Sequence, residues 1–126
     1  NPDTYQKFWC DMEMYTTTMT QPDPQLFMEQ YCSWEFAQKA NKWAGRNISR
    51  WRSDEYDKVH QAAQVELDPV KRAAMFIQMN DIVCKDGQVI PVAYRPGLHA
   101  TANRLVAPVT AWDNVLSALS DWYREA

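Results

Sequence analysis

Asp11 and Glu13 stand two residues apart in the run Phe8-Trp-Cys-Asp-Met-Glu-Met-Tyr-Thr-Thr-Thr-Met-Thr20. Paired carboxylates raise glycoside hydrolysis, a reaction that needs one carboxyl on each side of the bond to be broken. Neighbours on one face of an extended chain cannot flank a bond, so this pair reads as a charged, solvated face. The two histidines, His60 and His99, form no H-E-x-x-H pattern and have no partner at helical spacing. Ser33, Ser49, Ser53, Ser117 and Ser120 lack the G-x-S-x-G turn that exposes a nucleophile. Gly45, Gly87 and Gly97 are the only glycines, too few and too scattered for a phosphate-cradling loop. The reading is of a protein that is not an enzyme and carries neither metal nor cofactor.

Residues suited to holding a ligand without transforming it are better represented. Tyr15, Thr16, Thr17, Thr18 and Thr20 place a row of hydroxyl donors and acceptors on one stretch. Trp34, Trp43 and Trp51 offer apolar walls, and Arg46 or Arg50 can pair bidentately with a carboxylate. Each type also has an ordinary structural use: a loop Trp caps a core, and an Arg meets a local carboxylate. The threonine run itself reads either as a half-buried strand or as a binding wall.

Composition sets the frame for these candidates. With 126 residues, 46% apolar and 23% charged, the chain suits one folded core. A net charge of -3 with scattered Lys and Arg argues against a nucleic-acid surface. No apolar run approaches the roughly 18 residues that span a bilayer. Cys10, Cys32 and Cys84 allow one disulfide at most, or three free thiols, and leave the redox compartment open. The start, Asn1-Pro2-Asp3, has neither Met nor a basic leader, which suggests processing or a piece of a longer chain.

Several elements must position the candidates. Residues 8–20 alternate, with Trp9, Asp11, Glu13 and Tyr15 on one side and Cys10, Met12, Met14 and Thr16 on the other, which predicts a strand. Pro22-Asp23-Pro24 ends it, and Asp23 with Pro24 starts a short helix through Leu26, Phe27, Gln30 and Tyr31. Residues 33–52 show no period and read as a Trp-rich structured loop. Ser53 caps a helix whose apolar face is Tyr56, Val59 and Ala63. Asp68 caps a second, with Pro69 first, then Ala73, Phe76, Ile77, Met79, Asn80 and Val83, and Lys85-Asp86-Gly87 as the stop. A helical hairpin results. Val89–Tyr94 reads as a short strand broken by Arg95-Pro96-Gly97, Leu98–Val109 as irregular strand, and Ser120–Tyr123 as a last strand after a turn at Asn114. The fold class is α+β.

Taken in order, Pro22-Asp23-Pro24, Asn47-x-x-Arg50-Trp51-x-x-x-Glu55-Tyr56-Asp57, Asp68-Pro69-x-Lys71-Arg72-Ala73-Ala74, Val89-Ile90-Pro91-Val92-x-Tyr94-Arg95-Pro96-Gly97 and Asp121-Trp122-Tyr123 resemble the C-terminal part of one family. That family is the peptide/nickel-type extracellular solute-binding proteins (family 5) of ABC importers, and the resemblance runs from about Asp11 to Glu125.

The resemblance implies a two-lobed periplasmic-binding-protein-like type II fold of which this chain is the C-terminal portion. Residues 1–91 would belong to the second lobe, and 92–126 would cross a hinge to pack with the first. It implies a bacterial, periplasmic protein that holds a peptide-like or other small polar solute between its lobes and delivers it to ABC permease subunits. The cleft would be lined by Tyr15, Thr17, Thr18, Thr20, Trp34, Asn47, Arg50 and Trp51. Peptide-binding members often carry an aspartate at the position of Thr20 and a Trp at that of Thr17. A threonine cannot pair with a peptide's free amino group, so a neutral, anionic or opine-like solute fits this strand about as well. A chain of this extent, with unpaired strand edges, is expected to self-associate. The alternative is a stand-alone α+β protein-interaction module.

Overall fold

The computed structural model describes residues 5–94, 96, 98, 100–108 and 118–125. Its framework is the hairpin. Helix α2 (Asp54–Val65) starts where Ser53 Oγ accepts from the Tyr56 amide at 3.2 Å. Asp54, Glu55 and Asp57 put negative charge in its first turn, against the positive end of the helix dipole. Helix α3 (Pro69–Lys85) starts where Asp68 Oδ1 accepts from the Val70 and Lys71 amides at 2.9 and 3.3 Å. It stops at Gly87, whose φ of 68° lets Gly87 and Gln88 donate back to the carbonyls of Cys84 and Val83. Both boundaries agree with the sequence expectation.

Tyr56 and Ala63 of α2 meet Met79 and Val83 of α3, and Cys32 closes the cluster from the preceding loop. Met28, Tyr31, Trp51, Val59, Met75, Phe76, Ile82 and Val89 pack around it. On α3 the expected apolar set needs correction. Phe76, Met79 and Val83 face inward, but Ala73, Ile77 and Asn80 are exposed, and Met75 and Ile82 take their place. The inward row is set by what α2 and the loop cover, and the row through residues 73, 77 and 80 lies on the other side of the helix.

Before the hairpin, helix α1 (Gln25–Met28) continues as a 3-10 turn through Glu29–Tyr31. The Asp23 carboxylate accepts from the Gln25 amide at 2.8 Å, supplying the cap that Pro24 cannot. The segment from Ser33 to Arg52 is, as expected, a loop with short 3-10 turns at Ser33–Glu35 and Lys39–Asn41. Its two limbs are joined by a bridge between Phe36 and Asn47.

Two strand expectations are overturned. Residues 8–20 form no strand; the chain makes a 3-10 turn at Tyr5–Lys7, turns at Phe8 with φ 47°, and then runs on without a sheet partner among the described residues. Alternation alone does not make a strand, because the ladder hydrogen bonds need a neighbour and one face needs a core to cover it. Trp9, Met12 and Met14 are instead exposed. Val89–Tyr94 is likewise without regular structure, for the same lack of a partner.

The described residues fall into two compact units, one formed up to Thr18 and from Asp23 to Ile90, the other by Met19–Pro22 and the described residues from Pro91 on. The second unit holds a two-stranded antiparallel sheet of β1 (Leu105–Val106) and β2 (Tyr123–Arg124), with Leu105 opposite Arg124 and Val106 opposite Tyr123. The last strand therefore begins later than expected, because Leu119–Asp121 forms a 3-10 turn. Arg95, Gly97, His99, Asn114 and Ser117 lie outside the described residues. The architecture is a mixture of helix and strand, consistent with the α+β class.

Candidate functional site

The Asn47–Trp51 loop is built from the inside out. Asn47 is 3% exposed, and its Nδ2 lies 3.2, 3.0 and 2.9 Å from the carbonyl oxygens of Tyr31, Cys32 and Trp51. An amide nitrogen has two hydrogens, so one of them is shared between two acceptors. Its own amide donates to Glu35 O at 2.8 Å, and its carbonyl accepts from Ala37. Arg50 sits at φ 58° and donates to Ala37 O at 3.0 Å and Lys7 O at 3.2 Å, with its guanidinium 5.9 Å from the Trp43 ring centre. Trp51 donates from Nε1 to Asp86 and packs edge-on against Tyr56 at 5.4 Å. These three predicted site residues therefore come together, and their polar groups are directed at internal partners.

Trp34 stands apart from them. It is 44% exposed, hydrogen-bonds Glu29 from Nε1 at 3.4 Å, and meets the buried His60 ring edge-on at 5.5 Å. Behind His60 lies a polar network. Gln25 Nε2 donates to His60 O at 3.3 Å and lies 3.0 Å from the ring Nε2, which is itself 3.2 Å from Gln25 O. Arg72 Nη2 donates to Gln25 Oε1 at 3.3 Å, and Arg72 Nε donates to Ala63 O at 3.0 Å. The same guanidinium grips both oxygens of Asp23 at 2.7 and 3.1 Å. The Arg72 hydrogen bond, followed by the one from the Gln25 amide, holds the Asp23 carboxyl below the ordinary aspartate value.

The hydroxyl run forms a third group. Tyr15 stacks on Tyr5 at 5.6 Å, and partial burial, with Tyr5 and Glu13 nearby, pushes its phenol upward. Thr17 and Thr18 are exposed beside it in the first unit. Thr20 is exposed and belongs to the second unit. Solvent-facing hydroxyls of this kind are open to a ligand in a way the Asn47 amide is not.

Sequence reasoning missed the Asp23–Arg72 grip, the burial of His60, and the fork from Arg46 to Glu35 at 2.9 Å and Glu29 at 2.5 Å. One signal was available. Arg72 occupies the same helical row as Phe76, Met79 and Val83, and a charge on an inward row needs a partner. Cys10, Cys32 and Cys84 are all free, so no disulfide constrains the loop. Among the described residues, no three His, Cys, Asp or Glu side chains converge where a metal ion could sit.

No protein-family model, curated protein or solved structure matches the chain.

Proposed function

We propose that the chain is the C-terminal part of the solute-capture component of a bacterial ABC importer, periplasmic, which holds a small polar or peptide-like solute and passes it to the permease. One observation carries the reading beyond the order of sequence segments. Asp23, from the Pro22-Asp23-Pro24 landmark, and Arg72, from the Asp68-Pro69-x-Lys71-Arg72 landmark, are bound to each other through two hydrogen bonds. Two separate pieces of the resemblance are thereby one structural unit. The binding role falls on the exposed hydroxyls of Tyr15, Thr17 and Thr18 and on Trp34 in the first unit, with Thr20 the candidate in the second, while the polar groups of Asn47, Arg50 and Trp51 are taken up in holding their own loop. The protein would bind without chemistry, and its solute need not carry a free amino group, because Thr20 offers a hydroxyl rather than a carboxylate.

A thermal-shift screen of the full-length protein tests this reading against free and N-blocked peptides, opines, sugars, amino acids and nickel chelates. A true solute raises the melting temperature, since it binds the native state alone. If no solute class moves the transition while a protein partner does, the importer reading falls and the interaction-module reading takes its place. Thr20→Asp is expected to improve affinity for peptides with a free amino terminus.

A further inference from the structure

The tyrosines of this chain stand at positions 5, 15, 31, 56, 94 and 123, and they differ in what their rings meet. Tyr31 and Tyr56 lie within the first unit with rings almost perpendicular, 86° apart at 6.3 Å, and Tyr56 is fully buried with its hydroxyl donating to Met28 O. Tyr94 and Tyr123 are exposed, and among the described residues no ring is stacked on either. Tyr5 and Tyr15 alone, among the described tyrosines, are stacked on each other and open to water at once. Their rings are 16° from parallel with centres 5.6 Å apart, and the residues are 51% and 42% exposed.

The backbone holds the pair in place. Tyr5 opens the 3-10 turn Tyr5–Lys7, and the Phe8 amide closes it by donating to Tyr5 O at 3.0 Å. Arg50 ties this turn to the loop by donating to Lys7 O at 3.2 Å. The chain then turns at Phe8, with φ 47°, and returns to lay Tyr15 on Tyr5. Two nearly parallel phenols held this close have the orientation that ring-to-ring coupling needs, and half-exposed side chains are free to make the last small rotations. Tyr31 and Tyr56 would instead have to turn within a packed interior.

We propose that Tyr5 and Tyr15 form an oxidative modification site, at which a peroxide-driven one-electron oxidant couples the two phenols into a dityrosine. One peroxide accepts one electron and one proton from each phenol and becomes two waters, leaving a phenoxyl radical on each ring. The radicals combine through one ortho carbon of each ring, forming a single C–C bond. The hydrogen on each of those carbons then moves to its own ring's oxygen, which restores both phenols. The product is a covalent ring closing the segment between residues 5 and 15, a constraint that acts on the unfolded chain as a disulfide does. The inference does not rest on the importer reading, because coupling needs only the stacked pair and the oxidant.

The test treats dilute full-length protein with a haem peroxidase and hydrogen peroxide, then separates monomer from cross-linked dimer on a denaturing gel. The wild type is expected to show the blue fluorescence of the biphenol in the monomer band. Its tryptic digest should contain the peptide ending at Lys7 joined to residues 8–39, lighter than their sum by two hydrogens. Tyr5→Phe and Tyr15→Phe are each expected to lower the monomer fluorescence by at least roughly tenfold, because the remaining phenols lack a stacked partner. Phenylalanine keeps the ring, so the loss reports the phenol rather than the fold. Y94F/Y123F should match the wild type. If Tyr5→Phe or Tyr15→Phe fluoresces as strongly as the wild type, or if the biphenol appears only in dimers, the proposal is wrong.

Discussion

Arg72 reaches from α3 to Asp23 with two parallel hydrogen bonds, Nη1 to Oδ2 at 2.7 Å and Nη2 to Oδ1 at 3.1 Å, joining residues 49 positions apart. The guanidinium also lies 4.7 Å from the Phe76 ring centre and donates from Nε to Ala63 O, so the Nε edge is used as well as the fork. Neither partner is fully buried, with Arg72 25% and Asp23 46% exposed, so the geometry rather than a dry environment gives the pair its value. Replacing Arg72 with Ala takes the donor from the Ala63 carbonyl and from Gln25 Oε1 and leaves Asp23 only the Gln25 backbone amide, and is expected to cost about 2 kcal/mol. Arg72→Lys keeps the charge but not the fork, and should recover less than half of that. Urea denaturation of the three proteins measures both differences, and equal stabilities for Arg72→Ala and wild type would show the pair to be idle.

The same pair predicts an acid dependence. Asp23 has its carboxyl held below the ordinary value in the folded state. Below the unfolded aspartate value of about 3.9, the unfolded chain binds the proton first, so this contribution is complete above that pH and is lost as pH falls through the lower folded value. Asp23→Asn removes the linkage. The stability gap between wild type and Asp23→Asn should therefore shrink steadily in melts taken from about pH 5 down to about pH 2.

How much of this was legible in the sequence depended on whether a residue's partner was local. Ser53, Asp68, Pro69 and Gly87 act on backbone groups within a few residues, and each was placed correctly by its chemistry. The strand over residues 8–20 was misread because alternation reports only what a segment could bury, and the partner that would make it a strand is not in its own letters. The family resemblance places Asn47 in a cleft wall, and nothing in the loop's own letters says otherwise. A polar side chain in a Trp-rich loop looks the same on paper whether it meets a solute or three carbonyls of its own chain.

Asn47 is the clearest place to separate those two roles. Its Nδ2 ties the carbonyls of Tyr31, Cys32 and Trp51 together inside the fold. Asn47→Ala removes this donor from the Tyr31 and Trp51 carbonyls, while Cys32 O keeps the Glu35 amide, and should destabilise the chain by about 2 kcal/mol. Asn47→Asp preserves shape but turns a donor into an anion facing carbonyl oxygens, and should cost more than alanine. Chemical denaturation gives the order of the three proteins, and a red shift of Trp emission would report release of Trp51. Should Asn47→Asp prove as stable as wild type, the amide is not the clasp described here.

At the alkaline end the sign reverses. Burial pushes Tyr31 up to about 12 and raises Tyr56 and the Cys32 thiol well above their ordinary values, with Asp57 and Glu29 adding to the effect on Cys32. All three stay neutral in the folded chain after their unfolded counterparts have begun to ionise, near 9.0 for cysteine and 10.0 for tyrosine. Their contribution is whole below those values and is lost as pH rises toward the folded ones. Stability should fall with pH above that point. Tyr56→Phe should flatten the fall, while costing about 1 kcal/mol at neutral pH through the bond to Met28 O. Thermal melts across the alkaline range, for wild type and Tyr56→Phe, check both statements.

Gly45 supplies the sharpest steric test of the loop. A Cβ at this position would lie 2.3 Å from Glu35 O, 2.4 Å from Phe36 C and 2.4 Å from Phe36 O. All three are backbone atoms, so no rotamer change relieves the clash, and Gly45 is itself buried. The limb carrying Gly45 would have to move away from the limb carrying Phe36. That separation breaks the Phe36–Asn47 bridge and with it the Asn47 amide's bond to Glu35 O. Gly45→Ala is therefore expected to cost at least about 3 kcal/mol. Hydrogen exchange should show faster exchange at the Ala37 and Asn47 amides, with the α2 and α3 amides still protected where the hairpin stays folded. Native-like exchange at both loop amides would mean that the two limbs are not in the contact described.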